Sequence, residues 1–403
     1  MESSELYRRA LADFQRARGT PLALARAAAR AAQPGSPELA DARLLEASLL
    51  LCSRDAGDFE AAGWLYAELA ALRKNPWQAK HAAAIRVAVD GDYGGAVRAY
   101  DSILEDHPAD DLALGVAHVF DYLLGNPAAL RARATRALAS RDPAAPGYHG
   151  LLSLYAFALQ ECGDYTAAEE VARRALEREP LDVRAHHSVA HVMEMQGRFE
   201  DGVRWMGSRS ASWTGAGAAS VHLWWHLALY HLELGQPENA LAVLDHRMQG
   251  DSLSELIDAS ALLWRLHLHG VPTEGRFDAL AARWAPYAED AHCAFNDLHA
   301  MMAFVAASRW DCAERLLAAQ SRRIERTGGA NHDMTRLVGY PASRALAAFG
   351  RGDYAAAEAL LRGLPPVAHR IGGSHAQRDV LQLTRAVAGA RRHRQRMRMR
   401  IAA

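Results

Sequence analysis

One stretch of the sequence decides the fold: GDYTAAEEVARRALEREP, residues 163–180. It opens with glycine and aspartate, continues with the small residue Ala168, and ends with Pro180. Glycine tolerates the left-handed conformation in which helices commonly end, aspartate caps a following helix, and proline stops one. The stretch therefore predicts a turn followed by one α-helix that carries a small contact residue near its start.

The same pattern returns along the chain. GDYGGAVRAYDSILEDHP occupies residues 91–108, and a third Gly-Asp-Tyr begins at Gly352. Weaker copies of the turn begin at Gly57, Gly125, Gly197, Gly235, Gly270 and Ser308. Successive turns lie 34 to 44 residues apart. A period near 34 is typical of helix–turn–helix repeats that stack on one another.

The composition agrees with an all-α fold, because alanine runs occur at 27–29 and 355–357 and alanine is the strongest helix former. The period, turn, small residue and terminal proline together resemble the tetratricopeptide repeat between about residues 40 and 365. This resemblance implies a tetratricopeptide-like α-solenoid, a right-handed superhelix of antiparallel helix pairs. We expect a single solenoid over residues 1–390 and a basic tail over residues 391–403.

Charge and hydropathy exclude several classes of partner. The chain has 46 Lys and Arg against 47 Asp and Glu, so a general nucleic-acid-binding surface is not expected. No apolar stretch reaches about 18 residues, so we expect no membrane partner. The four cysteines have no disulfide or zinc spacing and the start has no secretory signal, which predicts a cytoplasmic protein. The arginines between Arg391 and Arg400 predict a solvated tail, with a nucleic-acid or anionic-lipid contact as the alternative.

Titratable residues concentrate on the predicted concave surface. In tetratricopeptide repeats the first helix of each pair lines this surface. Its inner residues are the second, fifth, ninth and twelfth of the repeat, when the turn glycine is counted as the fifteenth. For the repeat that ends at Gly197, these places hold Arg184, His187, His191 and Glu194. In the next repeat they begin with His222 and Trp225, and His226 follows His222 by one helical turn. Two His-x-x-x-His pairs are thus expected on neighbouring inner helices.

Clustered ionisable groups in a concavity predict a binding or catalytic site. We expect a small-molecule pocket, with an anionic ligand and acid–base chemistry, in which Glu194 and Asp297 orient histidines or act as bases. The candidate catalytic residues are His187, His191, Glu194, His222, His226, Asp297 and His299. No nucleotide or dinucleotide motif and no Gly-x-Ser-x-Gly occurs. No cofactor is predicted, and the alternative is a metal ion bound by His187, His191, His222 and His226.

A second motif lies at IGGSHAQRD, residues 371–379. Ser374 followed by Gln377 predicts a capping box at a helix start. The alternative interpretation adds the glycine pair and Arg378 as an anion-binding element. Residues 331–336 are expected on a long loop that closes the pocket.

Five segments together resemble the tetratricopeptide repeat protein 38 family: HHSVAHVMEMQGR from His186, HLWWHLALY from His222, FNDLHAMM from Phe295, VGYPASRAL from Val338 and IGGSHAQRDV from Ile371. The family has no established general activity, so the resemblance implies a fold and a set of motif residues. Six of these motif residues lie in the two repeats that carry the histidine pairs: His187, His191, Glu194, His222, Trp225 and His226. The others are Asn296, Asp297, His299, Ser374, Gln377, Arg378 and Asp379. We expect substrate contacts from Trp225, Asn296, Ser374, Gln377, Arg378 and Asp379.

A different class of function stays open. Tetratricopeptide proteins commonly hold a partner peptide in the groove, so an interaction scaffold with a protein partner is the alternative. A peptide clamp usually places Lys, Arg and Asn on the inner face, whereas Arg184 is the one cation found at the inner places considered. The histidine cluster therefore favours the small-molecule pocket.

Overall fold

The structure, a computed structural model, describes residues 2–402, and these residues form helices and turns without any β-strand. The chain divides into two compact units, Met1–His226 and Leu227–Ala403, with the boundary inside one helix. The all-α prediction is confirmed.

The helices of unit 1 are α1 (Ser3–Arg16), α2 (Pro21–Ala31), α3 (Pro37–Leu51), α4 (Ala56–Ala71), α5 (Pro76–Val89), α6 (Tyr93–Asp106), α7 (Asp111–Leu123), α8 (Pro127–Ser140), α9 (Tyr148–Glu161), α10 (Tyr165–Arg178), α11 (Val183–Met195), α12 (Phe199–Ser208), α13 (Ser210–Trp213) and α14 (Ala218–Glu233), which crosses the boundary.

The helices of unit 2 are α15 (Pro237–Arg247), α16 (Leu253–Leu268), α17 (Arg276–Trp284), α18 (Ala294–Ala306), α19 (Trp310–Glu325), α20 (Ala330–Met334), α21 (Tyr340–Gly350), α22 (Tyr354–Arg362), α23 (His375–Arg378) and α24 (Val380–Ala402). Short 3₁₀ helices span Ala285–Tyr287 and Ala368–Ile371, and a π-helix spans Thr335–Gly339.

Within each unit a helix packs against its successor and against the equivalent helix of the next pair. In unit 1, α9 contacts both α10 and α11, and α3 contacts both α4 and α5. In unit 2, α18 contacts both α19 and α21. Short connections make successive helices antiparallel, so this is the tetratricopeptide-like stacking expected from the period. The prediction of one solenoid over 1–390 followed by a separate tail stays a prediction.

The repeated turn forms as expected at the three Gly-Asp-Tyr sites. Gly91, Gly163 and Gly352 have φ of 80°, 81° and 79°, the left-handed conformation that favours glycine. The Asp92 carboxylate caps α6 by accepting from the backbone N–H of Gly95. Asp353 caps α22 in the same way. Asp164 precedes α10 without a side-chain cap bond, so the capping prediction is wrong there.

Six of the turns are followed five places later by an alanine. Ala62, Ala96, Ala168, Ala240, Ala313 and Ala357 are all buried. A small side chain at this place lets the helices of a pair approach closely, which explains part of the alanine excess.

Two sequence-based placements are wrong. Gly57 lies inside the first turn of α4, because Asp55 accepts from the backbone N–H groups of Gly57 and Asp58 and starts the helix earlier. The segment 331–336, expected as a loop, lies in α20 and the start of the π-helix. The Asn331 side chain fixes this segment, because it accepts from the Ala294 N–H and donates to the Ala291 carbonyl.

The basic run at the C-terminal end lies in α24, which extends from Val380 to Ala402. Its arginines are mostly exposed. Among the described residues, no helix combines the length and the apolar character needed to cross a bilayer.

Candidate functional site

Two helices of unit 1 bring four imidazoles together. His187 and His191 lie one turn apart on α11, and His222 and His226 lie one turn apart on α14. The ring centroids of His187 and His222 are 4.9 Å apart, and those of His191 and His226 are 4.5 Å apart. Each facing pair is separated by 35 residues, one repeat, so the period itself aligns them.

These residues form the four-histidine cluster: His187, His191, His222 and His226. One ring nitrogen from each lies within 4.8 Å of one from every other. The Nε2 atoms of His187 and His191 are 2.9 Å apart. His191 and His226 are fully buried, whereas His187 and His222 are half-buried. The cluster therefore has an inner side in the protein and an outer side that a solute can reach.

Glu194 fixes the orientation of one ring. Its Oε2 accepts a hydrogen bond from Nδ1 of His226 at 2.5 Å. With the proton on Nδ1, Nε2 of His226 carries the lone pair of a neutral imidazole. The pairing of a histidine with Glu194, expected from the sequence, is present in the structure.

Aromatic rings stack against the two half-buried imidazoles. Phe157 of α9 stacks on His187 with centroids 5.7 Å apart and planes 16° apart. Trp225 stacks on His222 at 5.1 Å and 11°. Trp225 is itself fully buried, so it lies behind His222. Phe157 was not among the residues predicted from the sequence. It occupies the same inner place in its repeat as His191 does, but only polar and titratable residues were selected as candidates.

Burial and neighbouring charges disfavour the protonated form of His187. Desolvation lowers the pKa of His187 well below its usual value, and the other three imidazoles and Arg184 lower it further. Arg184 lies nearly one turn before His187 on α11. Its guanidinium donates to the carbonyl of Phe14 at 2.9 Å and lies over the Phe14 ring. A positive charge thus lies next to the His187 ring.

Buried contacts also anchor the start of α11. Asp182 caps the helix by accepting from the Ala185 N–H. The same carboxylate accepts from the Ser153 hydroxyl and is paired with Nδ1 of His149, both at 2.7 Å. His149 therefore helps to position the helix that carries His187 and His191.

The remaining sequence-predicted site residues lie in unit 2. Asn296, Asp297 and His299 are buried at the start of α18. The Asp297 carboxyl accepts from Nε2 of Gln320 at 3.1 Å, and burial raises its pKa to about 7. Nδ1 of His299 donates to the Phe295 carbonyl at 2.7 Å.

The 371–379 segment also lies in unit 2, next to the start of α18. A Cβ added at Gly373 would collide with the Phe295 ring, so the segment and α18 are in close contact. The predicted capping box is confirmed: the Ser374 hydroxyl accepts from the Gln377 N–H, and the Gln377 side chain accepts from the Ser374 N–H.

The charged residues of this segment bond within unit 2. Arg378 donates to the Gly373 carbonyl. Arg265 of α16 donates to the Ala376 carbonyl at 2.7 Å and pairs with Asp379. Sequence reasoning missed Arg265, whose signal was a single arginine within an otherwise apolar helix. Six of the predicted site residues therefore belong to unit 1 and seven to unit 2.

No family model matches the chain. Among solved structures, it is similar to a chain in the crystal structure of the APC/C hetero-tetramer Cut9-Hcn1, with 13% sequence identity and a TM-score of 0.43. The match covers 85% of this chain and 63% of that one, so this chain spans less than two thirds of its neighbour's length.

Proposed function

We propose that this helical-repeat protein binds a small anionic molecule at the outer side of the four-histidine cluster and exchanges a proton with it. One observation carries the proposal: four imidazoles and a carboxylate from two neighbouring helices converge on one point. Such a polar group costs stability unless its members are satisfied, so a purely structural scaffold has little reason to keep it.

The Glu194–His226 pair supplies the acid–base part of the proposal. A carboxylate that accepts from Nδ1 leaves Nε2 as the basic atom and stabilises the imidazolium that forms when Nε2 takes a proton. His226 is fully buried, and its ring lies against the other three imidazoles of the cluster and Trp225, so proton transfer depends on these fixed neighbours rather than on bulk water. Arg184 supports an anionic ligand, because its charge lies on the same helix, nearly one turn from His187.

A ligand screen without metal tests this proposal. We expect one class of small carboxylate or phosphate to raise the melting temperature of the full chain in the presence of a chelator. Glu194→Gln and His226→Gln should weaken this shift, while His246→Ala, an exposed histidine on α15, should leave it unchanged. Equal shifts in all four proteins, or no shift with any anion, would contradict the proposal.

The assignment of Asn296, Asp297, His299, Ser374, Gln377, Arg378 and Asp379 as further ligand contacts stays a prediction. Membership of the tetratricopeptide repeat protein 38 family is likewise part of the proposal. The motif residues in unit 1 and those in unit 2 support it.

A protein-binding role is the second candidate, and a different observation favours it. Trp64 on α4 is 69% exposed, and exposed tryptophans are enriched where proteins bind one another. A photo-crosslinking amino acid placed at Trp64 should then capture one defined partner in cells, whereas the same group at the exposed Glu60 should not. Equal labelling at both positions would count against this role.

A further inference from the structure

We propose that His187, His191, His222 and His226 bind one divalent first-row transition-metal ion through ring nitrogens. This inference goes beyond the proposed function, because it assigns a metal ion to the same four-histidine cluster. It also makes a distinct claim, since a bound ion would take the Nε2 lone pair of His226, which the metal-free proton exchange uses.

The spacing of the ring nitrogens fits one ion. Metal–imidazole bonds of about 2.0–2.1 Å place neighbouring ligand atoms of a tetrahedral site roughly 3.3 Å apart. The Nε2 atoms of His187 and His191 are 2.9 Å apart, and every pair in the set lies within 4.8 Å. Small ring rotations therefore suffice to place all four nitrogens around one centre.

The surroundings of the rings match those of metal-bound histidines. A ligating histidine almost always donates its other ring N–H to a carboxylate, carbonyl or water. Glu194 accepts from Nδ1 of His226 and so directs Nε2 into the cluster. Phe157 and Trp225 stack on the two half-buried rings and restrict their rotation. The ligand set is therefore largely positioned before an ion arrives.

The chemistry of the donors indicates the class of metal. Four imidazoles without a thiolate or carboxylate in the set favour Zn²⁺, Cu²⁺, Ni²⁺ or Fe²⁺ over Ca²⁺ and Mg²⁺, which prefer oxygen ligands. In the described part of the chain, this is the group of three or more potential ligands that comes close enough to share an ion. The half-buried His187 and His222 give the ion a route from solvent.

Titration of the full chain with Zn²⁺ and Co²⁺ tests the inference. After removal of metal with a chelator, we expect about one Co²⁺ per chain, with the visible absorption of a nitrogen-ligated, low-symmetry site, and displacement by Zn²⁺. The double variant His187→Ala/His222→Ala should lose this site. The His187 and His222 side chains are half-buried, so replacing them perturbs the core less than replacing His191 or His226 would.

Glu194→Gln is the second variant and should keep the site while weakening metal affinity by about 10- to 100-fold. His246→Ala controls for adventitious binding by an exposed histidine. Circular dichroism confirms that each variant is folded. A site of equal affinity in the double variant, or no bound Co²⁺ in the native chain, would overturn the inference.

The two proposals fail in different ways. Anion binding that persists in chelator while Zn²⁺ does not bind would reject the metal site and leave the proposed function standing. Zn²⁺ binding that depends on the four histidines, without any anion binding in chelator, would support the metal site and reject the metal-free chemistry.

Discussion

Asp297 should make unit 2 less stable as the pH rises. Burial raises its pKa from 3.8 to about 7, with Asp290 adding to the shift and the Gln320 amide opposing it. The folded chain thus keeps a proton that the unfolded chain loses above about pH 4. Stability therefore falls between about pH 4 and pH 7 and levels off above pH 7.

The shift of about three pKa units sets the size of the effect. At roughly 1.4 kcal/mol per unit, Asp297 costs about 4 kcal/mol of unfolding free energy at pH 8 relative to pH 3. Asp297→Asn removes the titration and keeps a carbonyl oxygen for the Gln320 N–H. The variant should match the native chain near pH 4 and exceed its stability at pH 8 by up to about 4 kcal/mol.

Guanidinium unfolding followed by circular dichroism at several values between pH 4 and pH 8 measures this. Asp251→Asn is the matched control, because its side chain is 87% exposed and lies in the same unit. We expect the pH profile of Asp297→Asn to diverge from that of the native chain while the control runs parallel to it. Parallel profiles for all three proteins would refute the reasoning from burial.

Three further outcomes follow from single contacts. Asp182→Ala removes the α11 cap and the buried partner of Ser153, so it should lower the unfolding free energy by about 3 kcal/mol, and unchanged denaturation would contradict this. Gly373→Ala should destabilise more than Gly352→Ala. Both have positive φ, but a Cβ at 373 meets the Phe295 ring and one at 352 meets nothing within 4 Å. Arg265→Met should increase hydrogen exchange in residues 374–379, because the Ala376 and Asp379 contacts are lost.

Local signals in the sequence predicted the repeats and the histidine pairs well. The turn glycines, buried alanines and capping box depend on residues close in sequence, so pattern alone locates them. Arg265 and Asp379 are 114 residues apart, and no local pattern links them. The raised pKa of Asp297 is equally hidden, because it depends on burial by helices from elsewhere in the chain.

The alignment of His222 and His226 shows where repeat counting loses accuracy. The turn glycines Gly197 and Gly235 are 38 residues apart, so counting back from each glycine aligns Leu229, rather than His226, with His191. In the structure His191 and His226 face each other at an offset of 35 residues. The difference of three lies after the site, because α14 has 16 residues and α11 has 13.

This placement of the extra residues has a physical consequence for the cluster. Each residue rotates a side chain by about 100° around a helix, so one residue inserted before His222 would turn both α14 imidazoles away from α11. The same insertion after His226 only lengthens the helix. The turn spacing varies along the chain, whereas the 35-residue offset preserves one shared face across α11 and α14. The register that matters for ligand binding is therefore set by the start of α14, and the stacking of Trp225 on His222 helps to hold it.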